Sequence, residues 1–494
     1  MELRVKFSQW TAGIPVVMLN KETANRLGVH VQGKVSIKTL NNHSRELVSI
    51  VDIIEGSSVR KDEILVSSEI IESLKLTKNQ KIDVNFAPSS ESLEYIKKKL
   101  NGKRLSQKEI DEIIKEVVEN SLSDPEAALF ISAMYKHGMT SQEEVWLIKS
   151  MLNHGKTMPV KGKYVVDKHS VGGVPGNRTT PIVVSICASA GLTFPKTSSR
   201  AITSAAGTAD VMEAVCRVEF PKRELLRILK KTNAFLVWGG SLDIVPADSR
   251  LINIEKILKI DPESQLLASI MAKKFAMGSK YILIDIPFGK EAKVSRKNAI
   301  KLKRKFEYIG KKFRKKVRCV LTDGNQPIGN GIGPMLELMD VVKILDPQQI
   351  GPKDLETKSL FIAGEIFEMV GKCKKGKGVE MAKKILYSGE AFEKFKQIIK
   401  EQDGSLKRLR FAKFSKNVYA KKNGKITQIN NKDLVSIART LGCPMDKPAG
   451  IYLHFHVMDI VKKGEKVVTL YSETRTRMEE AEELYKKVIP INIR

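Results

Sequence analysis

Twice between residues 163 and 215 the sequence passes through a loop of glycines and hydroxyls into a helix. KYVVD (163–167) reads as a short apolar strand, followed by KHSVGGVPGNRTT and the apolar helix PIVVSICASAGL. A second loop, KTSSRAITSAAGT (196–208), opens the helix ADVMEAV. Helical sequence returns at about 246–278, and YILIDIPF (281–288) reads as a buried strand. Strands that alternate with helices specify an α/β unit. The three glycines of the first loop, Gly172, Gly173 and Gly176, permit positive φ and let backbone approach a ligand. The following helix directs free N–H groups and its positive dipole end at that loop. Lys168, Ser170, Thr179 and Thr180 add donors of the kind a phosphate needs. The bland alternative is a tight strand–helix turn with solvated polar groups. The second loop repeats the chemistry with Ser198, Ser199, Arg200, Thr203, Ser204 and a Gly207-Thr208 helix start. Loops at successive strand ends of one sheet converge on one crevice. Two such anion sites suit a ligand with two phosphate groups, or a phosphate beside a phosphorylated molecule.

The charge balance agrees: 85 Lys and Arg against 56 Asp and Glu leave a net charge of +29, a field that attracts anions. The cations are spread along the chain and aromatics are only 6%, which argues against nucleic acid as the partner. At 494 residues the chain holds roughly three domains, which excludes a single small binding module. Its five cysteines lie far apart with no C-x-x-C pair, so disulfide frameworks and zinc ribbons are not expected and a reducing cytosol is. The N-terminal MELRVKFSQW lacks a signal peptide's apolar core, and the apolar stretch 181–194 is too short to span a bilayer. A soluble, cytoplasmic protein with no membrane partner is expected.

The first 86 residues contain a repeat. VMLNKETANRLGVHVQGKVSI (17–37) and ILVSSEIIESLKLTKNQKIDV (64–84) align without a gap, pairing Leu19 with Val66, Leu27 with Leu74, Val35 with Ile82 and Ile37 with Val84. Each copy reads as strand, short helix, strand. One copy cannot bury its own apolar face, so two should wrap into a pseudo-symmetric small barrel resembling a double-psi β-barrel. Residues 88–157 read as helical. Ser106 and Glu109 form a capping box ahead of a stripe of Ile110, Ile113, Ile114 and Val117. Asp124 reads as an N-cap with Pro125 at the first helical position, and Thr140 with Glu143 caps a third helix. The stretch 415–494, with AGIYLHFHVMDIVKKGEKVVTLYS, reads as an appended α+β domain.

DKHSVGGVPGN, TSSRAITSAAGTADVMEAV, SIMAKK (269–274), ALFISAMYKHGMTSQEEVWL and AGIYLHFHVMDIVKKGEKV together resemble the thymidine/pyrimidine nucleoside phosphorylase family over roughly residues 90 to 494. The extra N-terminal barrel points, within that family, to the archaeal-type AMP phosphorylases. The resemblance implies a helical domain that is discontinuous in sequence and closes with an α/β domain on the substrates. It implies domains at 1–86, 88–157 with 243–278, 160–242 with 279–412, and 415–494. The implied reaction is nucleoside 5′-monophosphate plus phosphate giving free base and ribose 1,5-bisphosphate, with AMP foremost and CMP and UMP as candidates. Phosphate is then a co-substrate, no cofactor is needed, and the assembly is a homodimer or higher homo-oligomer. Three other readings stand beside it: a pyrimidine nucleoside phosphorylase, an anthranilate-type phosphoribosyltransferase requiring divalent metal, and a basic RNA-associated protein.

By the same resemblance Lys168, Ser170, Ser198 and Thr208 bind phosphate. Gly173, Ser199, Arg200, Ala201, Ile202, Thr203, Ser204, Thr208, Ser269 and Lys293 hold the nucleotide. Two departures bear on this. Thymidine phosphorylases place an Arg fifteen residues before the Ser of SIMAKK, where this chain has Ile254, so the demand for a pyrimidine edge should be lost. Pro175 lengthens the first loop relative to those enzymes. His169 is expected to position rather than react. His454 and His456 would share a strand face, but no carboxylate or Cys completes a metal site, so no metal is inferred. From the residues alone, Asp261 before Pro262 reads as a helix N-cap. The resemblance makes it the proton donor to the leaving base. The readings conflict, because a capping carboxylate is held ionised whereas an acid must hold its proton.

Overall fold

The computed structural model describes residues 1–7, 10–40, 44–87, 90–201, 204–242 and 244–494. It divides into two compact units, Met1–Gly155 with Val245–Ser269, and Lys156–Ile244 with Ile270–Arg494.

The first unit starts with β1 (Glu2–Phe7), β2 (Val16–Asn20), α1 (Lys21–Leu27), β3 (Lys34–Thr39), β4 (Glu46–Ile54), β5 (Glu63–Val66), α2 (Ser68–Leu74) and β6 (Lys81–Phe86). The six strands close into a barrel in the order β1-β5-β2-β4-β3-β6. Its pairing is two-fold: β2 runs parallel to β4 as β5 runs parallel to β1, and β3 opposes β4 as β6 opposes β1. Residues equivalent in the repeat meet across the two remaining seams, Met18 opposite Leu65 and Ile37 opposite Val84. Alternate positions on these strands turn inward, and Val17, Leu19, Val35, Ile37, Ile64, Val66, Ile82 and Val84 are all fully buried. Each such side chain contributes about 1.5–3 kcal/mol of burial.

Helices follow: α3 (Glu91–Leu100), α4 (Gln107–Val118), α5 (Asp124–His137) and α6 (Ser141–Asn153). Reciprocal capping boxes at Ser106–Glu109 and Thr140–Glu143 start α4 and α6 as expected. The start of α5 differs. Ser123, not Asp124, is its N-cap and forms the box with Glu126, which puts Asp124 and Pro125 in the first turn. The Ser123 hydroxyl reaches the third N–H of the helix, a bond open to either residue type, and the Glu126 carboxylate returning to the Ser123 N–H fixes the earlier start.

The second unit opens with β7 (Val166–Ser170), α7 (Thr179–Ser189), β8 (Phe194–Ser198), α8 (Thr208–Glu213), α9 (Lys222–Thr232) and β9 (Ala234–Trp238). The chain returns to the first unit with α10 (Pro246–Leu258) and enters α11 (Glu263–Ala276) there. Arg250 of α10 donates to the carbonyls of Val117 and Leu122 and to Asp124, tying α10 to the α4–α5 corner. Back in the second unit come β10 (Tyr281–Phe288), α12 (Arg296–Lys312), β11 (Lys316–Asp323), β12 (Gly331–Ile332), α13 (Pro334–Leu345), α14 (Lys353–Val370), α15 (Gly378–Tyr387) and α16 (Glu390–Glu401). Strands β11, β10 and β7 form a parallel sheet, and β8 pairs in parallel with β9. A bridge between Val165 and Thr193 joins the two sets. The strand expected at 163–167 therefore sits further along. Lys168, His169 and Ser170, expected in the loop, are the end of β7 and pair with Leu283, Ile284 and Asp285. The β10 ladder outweighs the polarity of those side chains.

The chain ends in β13 (Phe414–Tyr419), β14 (Gly424–Ile429), α17 (Asn431–Thr440), β15 (Gly450–Leu453), β16 (Ile460–Val461), β17 (Lys466–Ser472), α18 (Arg475–Val488) and β18 (Ile491–Ile493). This α+β part takes β12 into its sheet, in the order β12-β15-β17-β13. Among the described residues no helix is long and apolar enough to cross a membrane.

Candidate active site

The C-terminal end of β7 carries the first loop over a floor of buried charge. Lys168 is 1% exposed, and its Nζ donates to Thr179 Oγ1 at 2.7 Å and Thr180 Oγ1 at 3.4 Å, at the N-terminus of α7. Burial pushes this ammonium down to about 8, against the pull of Asp285. Burial would raise Asp285, but Lys358 at 3.1 Å, Lys168 and the Thr322 hydroxyl at 2.6 Å hold its carboxyl below the usual range. On the opposite face of β7, Asp167 pairs with Lys274 at 2.8 Å and Lys196 at 3.5 Å, all three buried. Burial drives Lys196 well down. Burial, then Lys274, Lys196 and Lys168, also push His169 far below its ordinary value, so it is a neutral imidazole at neutral pH. A neutral ring can position a substrate but brings no charge to it.

Two glycines shape the loop. Gly173, at φ +90°, lies against the Lys293 backbone, where an added Cβ would stand 2.7 Å from the main-chain nitrogen. Gly176, at φ +71°, lies on Ile328, where a Cβ would come within 2.1 Å of the carbonyl oxygen. Asn177 and Ile328 donate N–H bonds to the Ile328 and Pro175 carbonyls and pin the loop there. Ser170 ends β7, and its Oγ accepts weakly from the Gly172 N–H at 3.5 Å.

The second loop leaves β8 at Ser198, whose Oγ is buried without a hydrogen-bond partner. Asp210 folds the loop by accepting N–H bonds from Ala201 at 2.6 Å and Gly207 at 2.8 Å. Ser204 Oγ donates to the Ala206 carbonyl. Arg200 makes a bidentate pair with Glu213 at 2.7 Å, reaches Glu219 at 2.9 Å and stacks on Trp238, so its guanidinium is already committed. Arg178 joins the loops, donating to Thr208 Oγ1 at 2.7 Å, the Ala206 carbonyl at 3.0 Å and Glu337 at 2.6 Å. Burial pushes Glu337 up to about 7 against the opposing pull of Arg178.

Of the residues singled out in the sequence, Lys168, His169, Ser170, Gly173, Ser198, Ser199, Arg200, Ala201, Ser204, Thr208 and Lys293 lie in the second unit, where Gly173 touches Lys293 and Arg178 links the first loop to Thr208. Ile202 and Thr203 lie outside the described residues. Asp261 and Ser269 belong to the first unit, as does Ile254, which is 3% exposed on α10 and packed in its core. Asp261 is exposed, and α11 begins at Glu263, so Pro262 occupies the capping position and Asp261 the residue before it. Pro262 fills that position because its carbonyl accepts the N–H of Leu266. His454 Nε2 meets Thr469 and His456 Nε2 meets Asn330, so the two rings serve different partners. Among the described residues no group of three His, Cys, Asp or Glu side chains could hold a metal.

Sequence reasoning passed over Arg178, Asp210, Glu337, Asp285 and Lys358. Asp210 was within reach, since it stands at the capping-box distance after Gly207. Glu337 and Lys358 carry no local signal.

The helical bundle domain of the glycosyl transferase family matches residues 93–155, that family's a/b domain matches 162–392, and the pyrimidine nucleoside phosphorylase C-terminal domain matches 425–492. A Pyrococcus furiosus protein named AMP phosphorylase is 39% identical over 100% of this chain and 98% of its own. A Pyrococcus abyssi protein of the same name is 43% identical over the same shares. One from Methanococcus vannielii is 39% identical over 99% of this chain and 97% of its own. The crystal structure of anthranilate phosphoribosyltransferase from Thermus thermophilus shares the fold, with a TM-score of 0.53 and 18% identity, over 63% of this chain and 99% of that one.

Proposed function

The chain belongs to the glycosyl transferase family, alongside the AMP phosphorylases it matches from end to end, and from that premise we propose that it splits AMP with phosphate into adenine and ribose 1,5-bisphosphate. One observation carries the reading: identity of 39–43% runs over the whole chain, the N-terminal barrel included, in proteins of that name.

The geometry of the second unit supports it. A phosphate held by the Lys168 ammonium and the hydroxyls of Ser170, Ser198 and Thr208 attacks C1′ of the ribose as the bond to the base breaks. The buried, unpartnered Ser198 Oγ and the ammonium on the α7 N-terminus are donors suited to that anion. Gly173, Ser199, Arg200, Ala201, Ile202, Thr203, Ser204, Thr208, Ser269 and Lys293 take the nucleotide. With its guanidinium paired to Glu213 and Glu219, Arg200 acts chiefly by holding the loop. Asp261 gives its proton to adenine at N7, so the base leaves neutral. The neutral His169 orients the substrate. Fixing two anions before reaction removes an entropic barrier and supplies much of the acceleration. Phosphate is the co-substrate, no cofactor takes part, and the enzyme works in the cytoplasm as a homodimer or higher assembly. The barrel is of the double-psi kind, supported by its two-fold pairing.

The test incubates AMP, CMP, UMP and adenosine separately with phosphate, with and without chelator, and identifies base and sugar product by chromatography. Adenine with ribose 1,5-bisphosphate from AMP, undiminished by chelator, is expected. Free base from adenosine as fast as from AMP, or no release from any monophosphate, would sink the assignment.

A further inference from the structure

Arg178, Thr179 and Thr180 stand between the first loop and the body of α7, and their side chains reach three separate parts of the second unit. The two threonine hydroxyls receive Lys168 from the end of β7. Arg178 reaches the second loop at Ala206 and Thr208, and α13 at Glu337. The Arg178 side chain is 12% exposed and that of Glu337 is 2%. Glu337 also accepts the N–H of Gly333 at 3.1 Å, so the carboxylate is anchored to α13 and its cap.

We propose that Arg178, oriented by Glu337, is a positioning residue that fastens the second anion loop to the first. The guanidinium is a rigid planar fork, and its three nitrogens are spent on three different acceptors. With Nε on Glu337, Nη1 on Thr208 and Nη2 on the Ala206 carbonyl, Arg178 holds the loop instead of competing for the anion. By taking a hydrogen bond from Arg178, the Thr208 oxygen leaves the hydroxyl proton free to donate outward. A phosphate then meets two loops already at their working separation, and the ordering cost that would weaken its binding is removed. A lysine at the same place could keep the charge pair with Glu337 but could not span Thr208 and Ala206 as well.

The inference rests on the loops being the anion sites of the proposed phosphorylase, and the experiment separates the two claims. Phosphate binding is measured calorimetrically without nucleotide, alongside kcat and KM for phosphate and AMP, in the wild type, Arg178→Lys, and the double variant Arg178→Met with Glu337→Met. The double variant removes both members of the buried pair together, which is tolerated far better than orphaning one. Both variants are expected to fold, to weaken phosphate binding and raise KM for phosphate about tenfold or more, and to keep kcat at saturating phosphate within about threefold. A structural role alone would lower Tm without this split. If a folded variant binds phosphate within about twofold of the wild type, or the wild type binds none, the positioning role is overturned. If the wild type binds phosphate and the variants lose it while AMP is never cleaved, the clamp stands and the proposed reaction falls.

Discussion

Lys168 Nζ lies 2.7 Å from Thr179 Oγ1, with both side chains withdrawn from water. The contact runs from the end of a strand to the start of the next helix and spans the first loop at its base. Burial brings the ammonium down to about 8. Anions bind the charged form, so phosphate capture should weaken as the pH rises through about 8 and the free enzyme loses that proton. The expected Lys168 contribution to kcat/KM for phosphate is nearly full at pH 7, halved near pH 8, and falls about tenfold per unit above about pH 9. A profile level to pH 9.5 would remove Lys168 from the phosphate site.

Asp261 precedes the residue that starts α11, so replacing it should act on chemistry more than on the helix. Asp261→Asn is expected to lower kcat on AMP by about 10²–10⁴-fold, the usual range for general acid assistance, with Tm near the wild type. Near-normal turnover in that variant would end the assignment.

Gly172 and Gly176 separate backbone strain from collision. Both have positive φ, but a Cβ at Gly172 meets nothing within 4 Å, whereas one at Gly176 would stand 2.1 Å from the Ile328 oxygen. Gly172→Ala should cost about 1–2 kcal/mol by denaturant titration. Gly176→Ala adds an overlap typically worth about 1–3 kcal/mol and should also impair phosphate binding, because the loop must lift off Ile328. Equal effects of the two changes would contradict the placement of the loop.

Asp167 is the carboxylate between Lys196 and Lys274, and all three are buried. Asp167→Asn leaves the Lys274 and Lys196 side chains buried in low dielectric without the carboxylate that pairs them. A loss of about 3–5 kcal/mol is expected, partly recovered by adding Lys274→Met. Unchanged thermal stability of Asp167→Asn would show that the trio is more hydrated than its burial indicates.

The features legible in the sequence are those set by neighbours a few residues apart. The boxes at Ser106–Glu109 and Thr140–Glu143, the strand at 281–288 and the repeat that pairs Ile37 with Val84 all follow from local spacing and alternation. Both donor-rich loops were legible as loops because glycines and hydroxyls ahead of a helix form a local pattern. Where local signals competed, a second local bond or a distant strand decided: the Glu126 carboxylate set Ser123 over Asp124 as cap, and the β10 ladder made Lys168 to Ser170 strand and not loop. The tertiary structure alone decided which charges share a buried space. Arg178 and Glu337 are 159 residues apart, and nothing within a turn of either names the other. A buried ion pair depends on which surfaces lose water together, and only the packed chain determines that.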